Sequence, residues 1–233
     1  MNRFTKIQAV TFDVGSTLIE PWPSVGHLYA EVAARHGMPQ ADAETLNRQF
    51  AAAWQAKTKF DYSEAAWFEL VRQTFAPLGS TLPNSFFPDL YRRFAEPDAW
   101  RVYDDVLPTL DLLAAEGLKL AAISNWDERL RPLLKGLNLD GFFETIVISG
   151  EIGFQKPSPV IFEQALRRLS LPAGAVLHVG DSASEDVRGA ISAGLQGVLI
   201  RRRNRTEVRA GEIRSLEELP VLIRPAAPKP PGN

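Results

Sequence analysis

The sequence predicts an α/β fold in which a Rossmann-like core, built on a parallel five-stranded sheet, carries an inserted helical-bundle cap. Two observations lead to this prediction. Short segments rich in Val, Ile, Leu and Ala alternate with amphipathic helices over the second half of the chain. A run of successive helices separates the first apolar segment from the others. Such alternation is typical of parallel strands joined by right-handed crossovers.

Five segments have the composition of strands that are buried on both faces. These segments are residues 7–13, 118–124, 144–149, 175–180 and 196–200. The helices between them are predicted from apolar spacing and from end signals. Ser158 followed by Pro159 opens one helix, Asp127 can cap another, and a third stops near Gly194. The core is therefore expected to comprise residues 1–18 and 101–225.

Residues 19–100 are predicted to form the helical cap. Apolar residues recur there at helical spacing in four successive stretches, and no strand is expected between them. The segment holds 14 of the 22 aromatic residues, which indicates a bundle packed by aromatic side chains. Trp22 and Tyr29 are the two that could instead face a substrate. Residues 226–233, rich in Pro and Gly, are expected to be a disordered tail.

Composition restricts the class of protein. The net charge of −2 gives no basic surface for nucleic acid, and no run of 18 apolar residues could span a membrane. The absence of cysteine excludes disulfides and thiol chemistry. The first predicted strand leaves no room for a signal peptide, so a cytoplasmic protein is expected. Nothing in the sequence indicates the oligomeric state.

Polar residues follow several of the predicted strands, at the sheet edge where parallel sheets bind ligands. These residues are Asp13, Ser124 with Asn125, Lys156, Asp181 and Asp186. Carboxylates are the ligands that Mg²⁺ prefers, while a hydroxyl, an ammonium and backbone amides can bind phosphoryl oxygens. A carboxylate can also attack phosphorus to form an aspartyl-phosphate. The set therefore favours phosphate chemistry on a small phosphorylated substrate, with Mg²⁺ as cofactor.

Four ordered motifs resemble those of the haloacid dehalogenase-like (HAD) hydrolase superfamily. They are DVGSTL from residue 13, SN at residue 124, KP at residue 156 and GDS at residue 180 with the aspartate at 186. The helical insertion after the first motif is what subfamily I implies. The segments ISNWDERL and HVGDSASEDVRGA are similar to one branch of that subfamily.

The resemblance implies a role for each motif residue. Asp13 would be the nucleophile and a metal ligand, and Ser124 and Lys156 would hold the phosphate together with Asn125. Asp181 would bind Mg²⁺. Asp186 would be a further ligand or a neighbour of one. The loop residues Gly15 and Ser16 would contribute to phosphate binding, and the Gly15 backbone carbonyl would bind the metal.

Gly15 departs from the pattern of the superfamily's phosphatases, which usually have a second aspartate there as general acid and base. Glycine carries no proton to donate, so turnover slower by about 10² to 10⁴-fold is expected with poor leaving groups. Ser16, where the family more often has glycine, adds a hydroxyl but no acid near neutral pH. Glu20 or His27 from the cap could supply the missing acid.

Three interpretations remain open from the sequence. The first is a Mg²⁺-dependent phosphatase. The second is a metal-binding protein of this fold without turnover. The third is a 2-haloacid dehalogenase, against which Asp181 counts because the dehalogenase pattern lacks this metal-binding aspartate. Among other residues, His178 is expected to be a core histidine, and the arginines at 201, 202, 203 and 205 a solvated loop.

Overall fold

The structure is a computed structural model that describes residues 7–57, 60–79, 81–202, 209 and 211–223. Within them the chain forms two compact units, which we call the core unit and the helical unit. The core unit contains residues 7–18, 103–124 and the described residues from 141 onwards. The helical unit contains the described residues of 19–102 together with 125–140.

The helical unit has different limits from those of the predicted cap. It extends to Val102, and it includes residues 125–140, which the sequence analysis placed in the core. This second segment follows the Ser124–Asn125 motif directly, so the division between the units runs through that motif. The tail predicted at 226–233 lies outside the described residues.

The helices and strands follow one another along the chain in this order. They are β1 (Ala9–Phe12), β2 (Ile19–Pro21), α1 (Val25–Arg35), α2 (Ala43–Ala56), α3 (Glu64–Phe75), α4 (Phe86–Arg93), β3 (Trp100–Val102), α5 (Val106–Ala115), β4 (Lys119–Ser124), α6 (Leu130–Gly136), β5 (Thr145–Ile148), α7 (Ser149–Ile152), α8 (Pro159–Leu169), β6 (Val176–Gly180), α9 (Gly189–Ser192), β7 (Gln196–Ile200), β8 (Glu212–Ile213) and α10 (Leu219–Ile223). A π-helical segment, Ala183–Arg188, leads into α9.

The core unit is built on a six-stranded parallel sheet with the strand order β5-β4-β1-β6-β7-β8. The predicted α/β fold with a parallel core sheet is confirmed, and all five predicted strands are present. The predicted number of strands was wrong, because β8 adds a sixth at the edge. A strand of two residues is too short to show a recognisable pattern in the sequence.

The position of β1 brings several strand ends together. Phe12, the last residue of β1, pairs with Ala122 on β4 and with Val179 on β6. Because these parallel strands are in register, their carboxyl ends meet at one edge of the sheet. Asp13 comes directly after Phe12 and so lies level with the ends of both neighbouring strands.

Helix α8 covers part of this sheet. It begins as predicted, with Pro159 in its first turn and the Ser158 side chain accepting a hydrogen bond from a backbone N–H. Phe162 and Ala165 belong to one buried apolar cluster with sheet residues that include Ile123. Burial of apolar surface stabilises a fold by about 25 cal/mol per Å². The buried side chains of α8 therefore hold this helix against the sheet.

The helical unit is packed by aromatic and aliphatic side chains from α1 to α4. Its buried cluster includes Tyr29, Leu46, Phe75 and Phe86. The Tyr29 ring contacts three phenylalanine rings, with centroids 5.9 Å away in each case. Tyr29 is therefore part of the bundle's own core, whereas Trp22 is 43% exposed.

As expected, the described residues between α1 and α4 form no strand. The two strands of the helical unit flank these helices: β2 precedes α1, β3 follows α4, and the two pair antiparallel as a separate two-stranded sheet. One detail of the unit differs from the sequence analysis. Asp127 was expected to cap a helix, but α6 begins with Arg129 as its N-cap residue. The Asp127 carboxylate instead accepts from the Arg129 backbone at 3.1 Å and from its guanidinium at 2.6 and 2.8 Å. Among the described residues, every helix is too short or too polar to cross a bilayer.

Candidate active site

Asp13 is held at the end of the central strand by contacts from four parts of the core unit. Its backbone N–H donates to the Val179 carbonyl at 2.9 Å. Its buried carboxylate accepts from Lys156 Nζ at 2.6 Å, from Thr17 Oγ1 at 3.2 Å and from Ser124 Oγ at 3.4 Å. Burial raises the pKa of Asp13, and the Lys156 ammonium limits that rise. The carboxylate is thus oriented by donors on both of its oxygens.

Lys156 places a buried positive charge between two carboxylates. Its side chain is 2% exposed, and Nζ donates to Asp13 Oδ1 and Asp186 Oδ1, both at 2.6 Å, and to the Ile123 carbonyl at 2.9 Å. These contacts match the three protons of an ammonium group. Burial acts to lower the pKa of Lys156, but the two carboxylates outweigh burial and raise it. The residue is therefore a cation at neutral pH.

Asp186 accepts hydrogen bonds on both carboxylate oxygens. Oδ1 accepts from Lys156, and Oδ2 accepts from the Ser182 backbone N–H at 2.9 Å. Burial acts to raise the pKa of Asp186, yet the Lys156 charge and a hydrogen bond from His178 hold it below its usual range. A Cβ atom on Gly180 would lie 2.2 Å from Asp186 Cγ. The glycine before Asp181 therefore makes room for the Asp186 carboxylate.

His178 lies on β6 behind this cluster and is completely buried. Its Nε2 atom lies 3.1 Å from Asp186 Oδ1, and its Nδ1 atom lies 2.9 Å from Thr11 Oγ1. Burial lowers the pKa of His178, which favours the neutral ring at pH 7. We assign the proton to Nε2, because a carboxylate accepts hydrogen bonds, and the Thr11 hydroxyl then donates to Nδ1.

Three carboxylates lie close enough together to hold one metal ion. Carboxylate oxygens of Asp13, Asp181 and Asp186 all lie within 4.8 Å of one another. An all-oxygen set of this kind suits a hard divalent cation such as Mg²⁺. Asp186 is the most deeply buried of the three, at 1% exposed, and its oxygens accept from Lys156, His178 and the Ser182 backbone N–H. Asp13 and Asp181 are more exposed and are therefore the better placed ligands.

Asp181 is the exposed member of the three carboxylates. Desolvation of its carboxyl group, together with the negative charges of Asp13 and Asp186, raises the pKa of Asp181 to about 7. Water screens part of this repulsion because the residue is exposed. A divalent cation would relieve the remaining repulsion between the carboxylates. It would take the place of the proton that Asp181 holds because its pKa is raised.

The other residues predicted for the site occupy three different settings. Gly15 and Ser16 lie half-buried in the loop after Asp13. Ser16 has a φ of 58°, the left-handed region that glycine adopts most readily. Ser124 is buried beside Asp13. Asn125 is also buried, but it belongs to the helical unit.

Neither residue considered as a replacement acid is free of partners. Glu20 on β2 is buried and forms an ion pair with Arg101, its neighbour across the strand pair. His27 is bound through Nδ1 to the Ser24 hydroxyl at 2.8 Å, at the start of α1. Both contacts lie within the helical unit, and a role for either residue as the missing acid stays a prediction.

Sequence reasoning missed two residues that contact the site or its supports. Thr17 donates to Asp13, and its position four residues after the aspartate in the same loop was the available signal. Arg202 was placed in a solvated loop, which was wrong for this residue because its side chain is only 10% exposed. Arg201 pairs with Glu212, while residues 203 and 205 lie outside the described residues.

Comparison with known proteins identifies the family. The haloacid dehalogenase-like hydrolase family matches residues 7–194. The chain belongs to this family. Haloacid dehalogenase-like hydrolase domain-containing protein 3 from Danio rerio is 33% identical, over 94% of this chain and 97% of the relative. The resemblance expected from the four motifs is thus confirmed.

Two further members of the family carry phosphatase in their names. Glyceraldehyde 3-phosphate phosphatase from Methanopyrus kandleri is 32% identical over 95% of this chain and 99% of its own length. The crystal structure of a HAD phosphatase from Thermococcus onnurineus superimposes with a TM-score of 0.67 at 27% identity, covering 93% of this chain and 97% of the other. These similarities cover nearly the entire chain, and they support assignment to the hydrolases.

Proposed function

We propose that the protein is a Mg²⁺-dependent phosphatase that acts on a small phosphorylated metabolite through an aspartyl-phosphate on Asp13. The observation that carries this proposal is the oriented Asp13 carboxylate, with the Lys156 ammonium 2.6 Å from one of its oxygens. The phosphatase named among the family members supports the same reaction class.

In the first step, an Asp13 carboxylate oxygen attacks phosphorus and the bond from phosphorus to the leaving oxygen breaks. The leaving oxygen keeps the electron pair of that bond. Lys156 stabilises the negative charge on the phosphoryl oxygens, and the Ser124 hydroxyl donates to them. Mg²⁺ bound by Asp13 and Asp181 would reduce the repulsion between the carboxylate and the phosphate.

In the second step, water attacks phosphorus and gives up a proton to the surrounding water, and the Asp13–phosphorus bond breaks to give inorganic phosphate and the free carboxylate. Gly15 cannot donate a proton to the leaving group or take one from this water. Substrates whose leaving oxygen is stable as an anion are therefore favoured. This makes p-nitrophenyl phosphate the appropriate first probe.

The first prediction is that Asp13→Asn abolishes hydrolysis of p-nitrophenyl phosphate, with a loss on the order of 10³-fold or more in kcat. The amide of asparagine has a similar shape but is a poor nucleophile. Removal of divalent cations with EDTA should also abolish turnover, and added Mg²⁺ should restore it. Phosphate release measured over time checks both effects.

The matched control for Asp13→Asn is Asp111→Asn, which makes the same chemical change on an exposed face of α5. It should leave kcat unchanged. Wild-type rates in Asp13→Asn or in EDTA would overturn the proposed mechanism. Release of chloride from 2-chloropropionate without phosphatase activity would indicate a dehalogenase instead. Failure of both reactions with intact Mg²⁺ binding would indicate a protein without turnover.

A further inference from the structure

Arg202 lies two residues after β7 and directs its guanidinium into the core unit. Its Nε and Nη2 atoms donate to the Thr17 carbonyl at 2.8 and 2.6 Å. Its Nη1 and Nη2 atoms donate to the Asp105 carboxylate, both at 3.0 Å. The guanidinium also lies over the Tyr103 ring, with Cζ 3.9 Å from the ring centroid. One side chain therefore joins its own segment to two others, the loop that contains Thr17 and the segment that begins at Tyr103.

Asp105 gives this arginine a fixed anchor. The carboxylate is buried and also accepts from the Ser215 hydroxyl and the Leu216 backbone N–H, both at 2.8 Å. Burial acts to raise the pKa of Asp105, but the hydrogen bonds from Arg202 and Leu216 outweigh it and lower the pKa. The residue is therefore ionised at neutral pH and presents both oxygens to Arg202.

The segments joined by Arg202 are those where the chain leaves and re-enters the core unit. The first core segment ends at Leu18, and the second begins at Tyr103. The Tyr103 backbone N–H donates to the Leu18 carbonyl at 3.1 Å. Tyr103, which donates this hydrogen bond, and Thr17, which precedes its acceptor in the chain, both contact Arg202. The guanidinium therefore stabilises the place where the two segments meet, which we call the crossing.

Thr17 connects this crossing to the candidate nucleophile. Its side chain is completely buried, and its hydroxyl donates to Asp13 Oδ2 at 3.2 Å. The loop between the two residues is short and folded on itself, since the Leu18 N–H donates to the Val14 carbonyl at 2.8 Å. A shift of the Thr17 backbone would therefore move its hydroxyl relative to the Asp13 carboxylate.

We infer that Arg202 is a positioning residue for Asp13: it fixes the Thr17 backbone so that the Thr17 hydroxyl orients the carboxylate. The inference rests on the proposed function, because it treats Asp13 as the nucleophile. Nothing in the four motifs indicates this role, since 185 residues separate Arg202 from Thr17.

The geometry requires arginine in particular. A planar guanidinium presents several donors in a fixed fork and can stack on an aromatic ring at the same time. Here the fork serves a carbonyl and both oxygens of a carboxylate while it lies over Tyr103. A lysine ammonium also has three protons, but they radiate from one atom, so lysine cannot reproduce the spread of the guanidinium fork and stack on Tyr103 at the same time.

The test compares Arg202→Lys and Arg202→Ala with Arg201→Ala. The neighbouring Arg201 also forms an ion pair, with Glu212 at 2.8 Å, but it does not bind Thr17. With p-nitrophenyl phosphate and Mg²⁺, both Arg202 variants should lose about 10- to 10²-fold in kcat, because a displaced catalytic group costs this much. KM should change less than about 3-fold, and Arg201→Ala should retain the wild-type kcat.

A double-mutant cycle identifies the route through Thr17. Thr17→Val removes the hydroxyl but keeps the backbone carbonyl that Arg202 binds. If Arg202 acts through this hydroxyl, adding Arg202→Lys to Thr17→Val should lower kcat by less than about 2-fold further. Multiplication of the two separate losses would overturn the inference. Wild-type kcat in both Arg202 variants would also overturn it, whatever their thermal stability.

Amide hydrogen exchange keeps this inference distinct from the proposed function. Peptides that contain residues 14–18 should exchange faster in Arg202→Lys than in the wild type, and Arg201→Ala should leave their exchange unchanged. If the wild-type protein proves inactive and this exchange pattern is still observed, the phosphatase proposal is contradicted. The placement of Thr17 by Arg202 is then still supported. Equal exchange in all three proteins would overturn the inference about Arg202.

Discussion

Lys156 in the core unit and Arg93 in the helical unit are both buried cations, and their carboxylate partners differ in exposure. In the core unit, Lys156 binds Asp13 and Asp186, whose side chains are only 11% and 2% exposed. In the helical unit, the Arg93 side chain is 10% exposed, but its partners Glu31, Glu96 and Asp98 are 35%, 55% and 76% exposed. The partners of Lys156 are thus enclosed with it, whereas the three partners of Arg93 stay in contact with water.

The difference separates a site from a structural support. Removing two carboxylates and an ammonium from water is costly, and apolar residues of similar volume often stabilise a fold as well or better. The bundle of the helical unit avoids this cost of removing charges from water, because its centre is filled by Tyr29, Phe75 and Phe86. A buried charge cluster at a strand end therefore indicates a functional requirement, which here is an oriented carboxylate next to a cation.

The largest expected effect comes from Lys156→Met, which removes the cation and leaves Asp13 and Asp186 without it. We expect a loss of about 3 to 5 kcal/mol in the free energy of unfolding, as for other broken buried pairs. We also expect kcat to fall by on the order of 10³-fold, because the charge on the phosphoryl oxygens loses its partner. Urea denaturation and phosphate release measure the two quantities.

Arg93→Met is the matched change in the helical unit. Its carboxylate partners can regain full hydration, so we expect a smaller loss of about 1 to 2 kcal/mol. Mg²⁺ affinity should stay at the wild-type value, since all contacts of Arg93 described above lie within the helical unit. Equal losses of stability in the two variants would show that the burial of the partners does not distinguish the two cations.

The next largest effect is expected from Phe75→Ala in the helical unit. Phe75 is 1% exposed, and its ring lies 5.0 Å from that of Phe86 and 5.9 Å from that of Tyr29. Truncation of a buried phenylalanine costs about 3 to 5 kcal/mol, so unfolding should occur at lower urea concentration. Isothermal titration should give unchanged Mg²⁺ affinity; weaker binding would mean that the metal site depends on this bundle.

The smallest effect concerns the pH dependence of Mg²⁺ binding. The pKa of Asp181 is raised from 3.8 to about 7 in the metal-free protein. Because Asp181 is exposed, screening should place the observed midpoint between these two values. Protons compete with the cation, so Mg²⁺ affinity should fall as the pH falls through this window.

The same shift sets the sign of the stability change. A carboxyl group with a raised pKa in the folded state stabilises the fold below its unfolded pKa, and this contribution is lost as the pH rises through the folded value. The metal-free protein should therefore lose stability as the pH rises from about 4 to about 7, and Mg²⁺ should restore it. Asp181→Asn should reduce this slope, and Asp13, whose pKa is also raised, should contribute the part that remains. An unchanged slope would assign all of it to groups other than Asp181.

Much of the site could be predicted because its motifs are local. Asp13 and Asp181 each follow a strand and Ser124 ends one, and parallel strands in register bring their carboxyl ends to one edge. The sequence could also show that Gly15 carries no acid, since that depends on residue type alone. The number of strands was less accessible, because β8 has two residues and no recognisable period.

The sequence by itself determined the family, the α/β class and the residue types at the strand ends, because these follow from composition, periodicity and short motifs. Only the tertiary structure decided which side chains form ion pairs or hydrogen bonds with one another. Lys156 meets Asp186 across 30 residues, and Arg202 meets Thr17 across 185. Such contacts depend on burial and on the packing of distant segments, and no spacing along the chain encodes them.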